Sequence, residues 1–295
     1  MRIYTTLILL LLVLGTGFRN SGFAQISRKS KGNRKQHAFP FMNSQLWIGL
    51  KAGGNVTKAV PTERYTVFVS TLPDHDQTYQ KKYDKFGTVS SQIGLVTTYN
   101  FRTFFSLSFQ PAYINRSFGY RNEYSWLGKQ HNSVELSQHH QFKLSYLELP
   151  LLVRFDLIRT RLRPYLQAGG FYSRLLKADK HMELTSSDHA SGAANPIENN
   201  TPTIGVQNSF IRSNMGWMAG GGISYDIGNA RIGIDAVYKS GTNNITNVKN
   251  RYSDNRMTSN GDVFDDMKLR NIDISISLLF PMKYLETKSF RSVKP

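Results

Sequence analysis

Asn271-Ile272-Asp273-Ile274-Ser275-Ile276-Ser277-Leu278-Leu279-Phe280 is the stretch that decides the fold. Ile272, Ile274, Ile276, Leu278 and Phe280 fall on one side of an extended chain, and Asn271, Asp273, Ser275 and Ser277 on the other. Successive side chains of a strand point to opposite faces, so a strict two-residue period means one apolar and one polar face. The same alternation returns where Phe105, Leu107, Phe109 and Pro111 interleave with Ser106, Ser108 and Gln110. It returns again at Ile93, Leu95, Thr97, Tyr99 and Phe101, and at Ile232, Ile234, Ala236 and Tyr238. Weaker forms cover 46–55, 146–155, 165–175 and 215–225.

These segments number eight, each near the ~9–11 residues that cross a bilayer at barrel tilt. Only Arg102-Thr103 separates the second from the third; short turns lie at 157–161 and 226–229. The other connections, about 59–88, 115–142, 177–213 and 241–267, are long and polar. Alternation of short and long connections is the rhythm of outer-membrane barrels, which have short periplasmic turns and long extracellular loops. The expected fold is therefore all-β: an eight-stranded antiparallel up-and-down transmembrane β-barrel over 45–280, with long extracellular loops and both ends on the periplasmic side. A soluble barrel or sandwich is the competing reading. Its interior would be the polar face carrying Lys51, Glu148, Arg154, Asp235 and Asp273, which leaves no hydrophobic core.

The N-terminus reads as an export signal. Arg2 precedes the apolar run 7–14, and Gly22-Phe23-Ala24 offers small residues around a cleavage point before Gln25. The expected division is a signal peptide over 1–24, a basic periplasmic tail over 25–44, the barrel over 45–280 and a periplasmic tail over 281–295. The formal net charge of +17 suits phosphate partners. Export argues against nucleic acid, so outer-membrane lipid, lipopolysaccharide phosphates and acidic envelope proteins are the expected partners. With no cysteine, disulfides, Cys-ligated metals and a lipid-modified N-terminal cysteine are excluded.

Parity along the strands places Lys51, Glu148, Arg154, Asp235, Lys239 and Asp273 inside the barrel. An eight-stranded barrel is just filled by side chains, and buried charges need partners. These six are therefore expected to form a salt-bridge network that seals the lumen, with a conduit for small solutes as the alternative. Gly49, Gly53, Gly169, Gly216, Gly220, Gly222 and Gly233 fall mostly on the same face, where small residues let a narrow barrel close. Tyr99, Phe101, Phe155, Tyr225, Tyr238 and Phe280 suit interfacial girdles, and Phe280 also resembles the terminal aromatic that barrel-assembly machinery reads.

Catalytic, cofactor and metal residues are expected to be none. His131, His139 and His140 read as solvated loop histidines, and Asp74-His75-Asp76 as polar surface. His181 and His189 with Ser186, Ser187 and Asp188 are the local candidates for a barrel-rim enzyme. Tyr65, Tyr79, Tyr83, Tyr120, Tyr124 and Trp126 are expected in the long loops, available for surface contacts.

Tyr146-Leu147-Glu148-Leu149-Pro150-Leu151-Leu152-Val153-Arg154-Phe155 resembles the YLEIPLLLKY strand of PorT-like outer-membrane barrels of Bacteroidota, eight-stranded barrels of the OmpA/OmpX kind. The stretch 48–55 resembles that family's opening strand, 164–170 its PYL.AG strand, and Ala24-Gln25 the signal-peptide junction common in that phylum. The resemblance spans about 45–280 and implies an integral outer-membrane protein. The family takes its name from a component of type IX secretion and gliding. The expected role is structural or surface-interacting, with an accessory part in such a secretion system as the alternative.

Overall fold

The computed structural model describes residues 46–65, 81–127, 133–158, 160–188, 195–200, 203–252 and 262–282, with backbone alone at 127, 133, 188 and 195–200. The predicted leader, the N-terminal tail, Asp74, His75, Asp76, Tyr79, His131 and His189 lie outside the described residues, as does the C-terminal tail beyond Met282. Among the described residues twelve strands form one antiparallel sheet. In chain order they are β1 Leu46–Glu63, β2 Lys82–Tyr83, β3 Ser90–Asn100, β4 Phe105–Phe109, β5 Ala112–Leu127 and β6 Ser133–Asp156. The rest are β7 Leu162–Asp188, β8 Asn195–Asn200, β9 Ile204–Gly205, β10 Ser213–Ile227, β11 Ala230–Gly241 and β12 Asp266–Pro281.

The sheet closes on itself. β1 pairs with β12 and β3, β3 with β4 and β5, and both of these with β6. β6 pairs with β7, β7 with β10, β10 with β11, and β11 with β12. β4 and β5 occupy one position in the ring, interrupted at Gln110-Pro111, so the barrel has eight staves. Pro111 has no N–H to give the ladder. Its carbonyl still accepts from the Leu95 N–H at 2.9 Å, while the Gln110 N–H reaches the Pro150 carbonyl at 3.2 Å. The interruption thus costs little pairing.

The apolar face points outward. Leu50, Ile93, Leu95, Leu149, Leu151, Val153, Leu166, Ile223, Ile234, Ile274, Ile276 and Leu278 are all exposed on the outer wall. At the short-turn end Tyr99, Phe101, Phe105, Phe155, Tyr225 and Phe280 ring this band, with Phe105 and Phe155 centroids 4.9 Å apart. Tyr113, Tyr172, Trp217 and Tyr238 mark its other edge. Lipid cannot satisfy an unpaired strand edge, and a closed ring has none. Leu46 and Pro281 both sit at the short-turn end, the periplasmic side.

Two expectations change. The pattern predicts polar loops over 115–142 and 177–213, yet β5, β6 and β7 run on as paired strand far past the apolar band. β6 has 24 residues and β7 has 27; at ~3.4 Å per residue β6 alone is about 80 Å long. With β8 added at the edge of β7, they form a four-stranded blade. Above the bilayer the outer face meets water instead of lipid, so outward Gln141 and Lys143 are polar while Phe142 and Leu144 face inward; the apolar-outside pattern ends while backbone pairing continues. The second change is a bulge. Tyr146 lies opposite Leu175 and Ser145 opposite Lys177, leaving Leu176 extra. Below it, odd-numbered Phe171, Ser173 and Leu175 face inward on β7; above it, even-numbered Ala178, Lys180 and Met182 do.

Glycine lets neighbouring strands and rings approach inside this narrow ring. A Cβ on Gly222 would stand 2.4 Å from the Ile234 carbonyl oxygen and 2.7 Å from the Tyr165 ring.

Candidate functional site: the lumen and its extracellular plug

The lumen is filled from end to end. At the periplasmic end Asp226 binds Arg163 at 2.8 Å and Arg231 at 2.6 Å, and Arg231 lies 4.1 Å above the Trp47 ring. Arg154 binds Asp156 at 2.8 Å, donates to the Ser224 hydroxyl at 2.8 Å and stacks 3.5 Å over Tyr165. Half-way up, Lys51 meets Asp235 at 3.2 Å and donates to Gln110 at 2.9 Å; Ser275 donates to Asp235 at 2.7 Å. One level higher Glu148 receives Arg116, Lys239 and, at 3.2 Å, the Ser173 hydroxyl. Lys239 also binds Asp273 at 2.6 Å.

All six lumen residues picked out by strand parity thus lie inside the ring, in three groups rather than one network. Lys51 joins Asp235, Lys239 joins Glu148 and Asp273, and Arg154 turns to Asp156 instead of Glu148. Sequence reading missed Arg116, Asp156, Arg163, Asp226 and Arg231. Arg116 sits where a loop was expected and Asp226 where a turn was. Asp156, Arg163 and Arg231 continue the parity of Arg154, Tyr165 and Gly233 by one more step, a signal that was available. Phe280 faces outward opposite Ile48, at the girdle.

Above the charges lies an apolar plug, which the sequence reading did not anticipate. Phe118, Phe142 and Leu144 from the blade meet Phe210, Ile245 and Phe264 from the long connections. Phe142 lies edge-on to both Phe210 and Phe264, at 5.9 and 5.7 Å. Backbone bonds hold the connections in place: Val206 N–H to the Ala178 carbonyl at 2.8 Å, Ile211 to Ile245 at 2.8 Å, and Ile245 to Met267 at 2.9 Å.

A buried polar cluster caps the plug, clear of the apolar band. Asp262 binds Lys180 at 3.1 Å and Lys81 at 3.3 Å, and accepts from Asn122 at 3.2 Å and from the Tyr120 hydroxyl. Asp265 binds Lys81 at 3.1 Å, and accepts from the Tyr83 hydroxyl at 2.7 Å and the Tyr65 N–H at 2.8 Å. Two carboxylates therefore face two ammoniums. Burial opposes the charge on Asp262, but Lys180 above all outweighs it and holds the carboxyl well below the usual range. Burial pushes the Tyr120 and Tyr83 hydroxyls well up, so both stay protonated donors.

His140 lies in the same cluster, 3.9 Å from Asp262, with Asn122 3.4 Å from its Nε2. It is fully buried, which corrects its reading as a solvated loop histidine. Burial lowers its pKa to about 3 despite Asp262, so the ring is neutral. The aromatics expected to greet partners are also largely spoken for. Tyr120 and Tyr124 are buried, Tyr83 packs 5.1 Å from Tyr120, Trp126 stacks on Tyr124 at 5.8 Å, and Arg251 lies 3.5 Å over Tyr65. His139 and His181 point out of the blade, each facing Glu183 at 3.7 and 3.8 Å. His181 stands five residues from Ser186 on one strand, about 17 Å apart at strand rise.

The closed ring, its outward apolar band and its charged interior agree with a family match. The outer membrane protein beta-barrel domain model matches residues 23–247. The chain belongs to that family. It is an outer-membrane protein, surrounded by the lipid of that membrane. Ail, the attachment invasion locus protein of Yersinia pestis, is similar at 11% identity, over 80% of this chain and 99% of its own, with a TM-score of 0.32. OprG from Pseudomonas aeruginosa is similar at 12% identity, over 80% and 95%, with a TM-score of 0.39. The outer membrane protease OmpT from Escherichia coli is similar at 13% identity, over 80% and 96%, with a TM-score of 0.36. Among curated proteins none matches the sequence.

Proposed function

We propose that this outer-membrane barrel is a closed, non-enzymatic support that presents its blade as a protein-interaction surface. The observation carrying this reading is the combination of a plugged lumen with strands that continue far beyond the bilayer. A pore needs an open path, and although the blade's inner face helps close the plug, its tip runs on past both bilayer and plug. On the blade's outer side a groove of 790 Å³ is lined by Phe86, Val89, Asn115, His139, Lys143 and His181, among others. It offers an aromatic, an aliphatic and several hydrogen-bonding groups together, the mixture that protein interfaces use.

The test is capture from native outer membranes with the full chain and with Phe86→Asp/Val89→Asp, which alters the groove and leaves the lumen untouched. A partner captured by the first and lost by the second is expected. Discrete single-channel conductance in planar bilayers would overturn the closed-support reading. Lipid or peptide turnover abolished by His181→Ala would replace it with the rim-enzyme reading.

A finer reading follows the PorT-like motif at 146–155, which runs through Glu148 and Arg154. On that reading the chain is a Bacteroidota barrel, exported by the leader at 1–24, inserted by assembly machinery that reads Phe280, and an accessory of a type IX secretion or gliding system. Co-purification with secretion components, and loss of secretion when the gene is deleted, is the expected result.

A further inference from the structure

On the outer wall three cations cluster with no carboxylate partner among the described residues. Lys58 on β1 lies directly opposite Arg270 on β12, and Val60 opposite Lys268 one step higher on the same outward face. Ser240 on β11 flanks Arg270 on its other side. Two residues below, Val56 lies opposite Ile272, the last outward apolar pair before Ile274 and Ile276. Arg270 is exposed, and Lys58 and Lys268 are partly exposed.

Like charges directly opposite on a sheet repel. Among the described residues no carboxylate comes within ion-pair reach of any of the three. Asp266, two residues from Lys268 on the same face, is bound by Arg251 at 2.5 Å, and Glu63 accepts from Tyr65 at 2.6 Å. Lys82 and Lys177, by contrast, have carboxylates: Lys82 faces Glu123 at 2.6 Å and Lys177 faces Asp179 at 2.8 Å. With strands ~4.8 Å apart and ~6.8 Å between successive same-face residues, the trio spans about the width of one phosphorylated headgroup.

Height and side identify the ligand. The trio stands one tier above the last lipid-facing apolar pair, at the long-connection end, which is the outer leaflet. The groups at that height in an outer membrane are glycolipid phosphates, and a guanidinium flanked by two ammoniums suits a phosphate. We propose that Lys58, Lys268 and Arg270 form a binding site for the phosphate of an outer-leaflet glycolipid, the phosphorylated sugar headgroup of lipopolysaccharide.

The experiment compares retention of phosphorylated and enzymatically dephosphorylated lipid A by the folded full chain in detergent, read by native mass spectrometry. The native chain is expected to retain the phosphorylated form at least tenfold better, and Lys58→Gln/Lys268→Gln/Arg270→Gln to bring the two within twofold. Heat-modifiable migration shows that the variant is folded; if the triple variant does not refold, Lys58→Gln and Arg270→Gln singly carry the same comparison, each with a reduced ratio expected. Lys177→Gln, whose cation already has a carboxylate, is expected to keep the native ratio. Equal retention of both lipids by the native chain, or an undiminished ratio in the variants, would overturn the site. So would an equal loss in Lys177→Gln, or stronger retention of phosphatidylglycerol than of lipid A.

Discussion

The bilayer-level lumen and the extracellular plug solve the same problem with different parts. Both bury two carboxylates against two cations: Glu148 and Asp273 with Arg116 and Lys239 below, Asp262 and Asp265 with Lys81 and Lys180 above. Below, every charge is borne by a strand locked into the ring. Above, Lys81, Asp262 and Asp265 come from connecting segments, and only Lys180 sits on a stave. A charge on a stave can lose its partner but cannot leave. A charge on a connection can carry its whole segment out to water. Equal burial therefore gives unequal permanence.

The largest effect tests this directly. Glu148→Gln leaves Arg116 and Lys239 short of a counter-charge in a closed lumen, where breaking a buried pair costs roughly 3–5 kcal/mol. A fall of that order in barrel stability is expected, followed by urea titration of heat-modifiable migration. An unshifted midpoint would mean the lumen charges are not structural. Next comes Gly222→Ala, whose Cβ has no room beside Ile234 and Tyr165; overpacking of this kind costs ~1–3 kcal/mol. Gly205→Ala, in the upper connection, meets nothing within 4 Å and is expected to leave the midpoint unchanged, so equal effects would erase the contrast between the regions.

Asp262→Asn is expected to shift the barrel midpoint by less than half as much as Glu148→Gln, because the plug can undock and hydrate Lys81 and Lys180. The readout that should move is hydrogen exchange at 262–267. Should global unfolding respond as strongly as to Glu148→Gln, the plug is part of the barrel's cooperative unit. The smallest effect is that of pH. The docked His140 has a pKa of about 3 against an ordinary 6.5, so the undocked state takes up the proton first. Its contribution to docking is whole above 6.5 and is lost as pH falls from there toward 3. Asp262 has the same sign: its carboxyl is depressed, so its contribution is whole above the ordinary carboxylate range and fades beneath it. Exchange at 262–267 should therefore quicken on acidification, beginning near pH 6.5. His140→Phe should delay the onset to the carboxylate range, and a native profile in that variant would exclude the ring as the sensor.

The same division explains what could be read from the sequence. Strand parity places a residue once the strand is known, so Lys51, Glu148, Arg154, Asp235, Lys239 and Asp273 were legible at the level of a face. Which cation meets which anion depends on the stagger between strands, and the pairing of Arg154 with Asp156 rather than Glu148 is invisible in one dimension. Arg116 and His140 were hidden because the apolar-outside pattern of β5 and β6 ends above the bilayer, where Phe118, Phe142 and Leu144 face inward. Lys81, Asp262 and Phe264 belong to connections whose inward fold no periodicity announces. Lys180 escaped for a different reason: counting along β7 from Tyr165 puts it on the outside.

That last case follows from the extra residue at Leu176. The bulge acts on β7 as a frameshift acts on a coding sequence: everything beyond it is read on the other face. Drawing Leu176 into the ladder without a bulge would leave the bilayer-level wall in frame and turn the upper strand over, presenting Lys180 to solvent and driving Asp179 and His181 inward, whereas deleting Leu176 would keep both halves in frame. Any chimera that exchanges this blade for another must place its junction with the bulge in mind, because two strands of matching length and composition can still be out of phase by one residue.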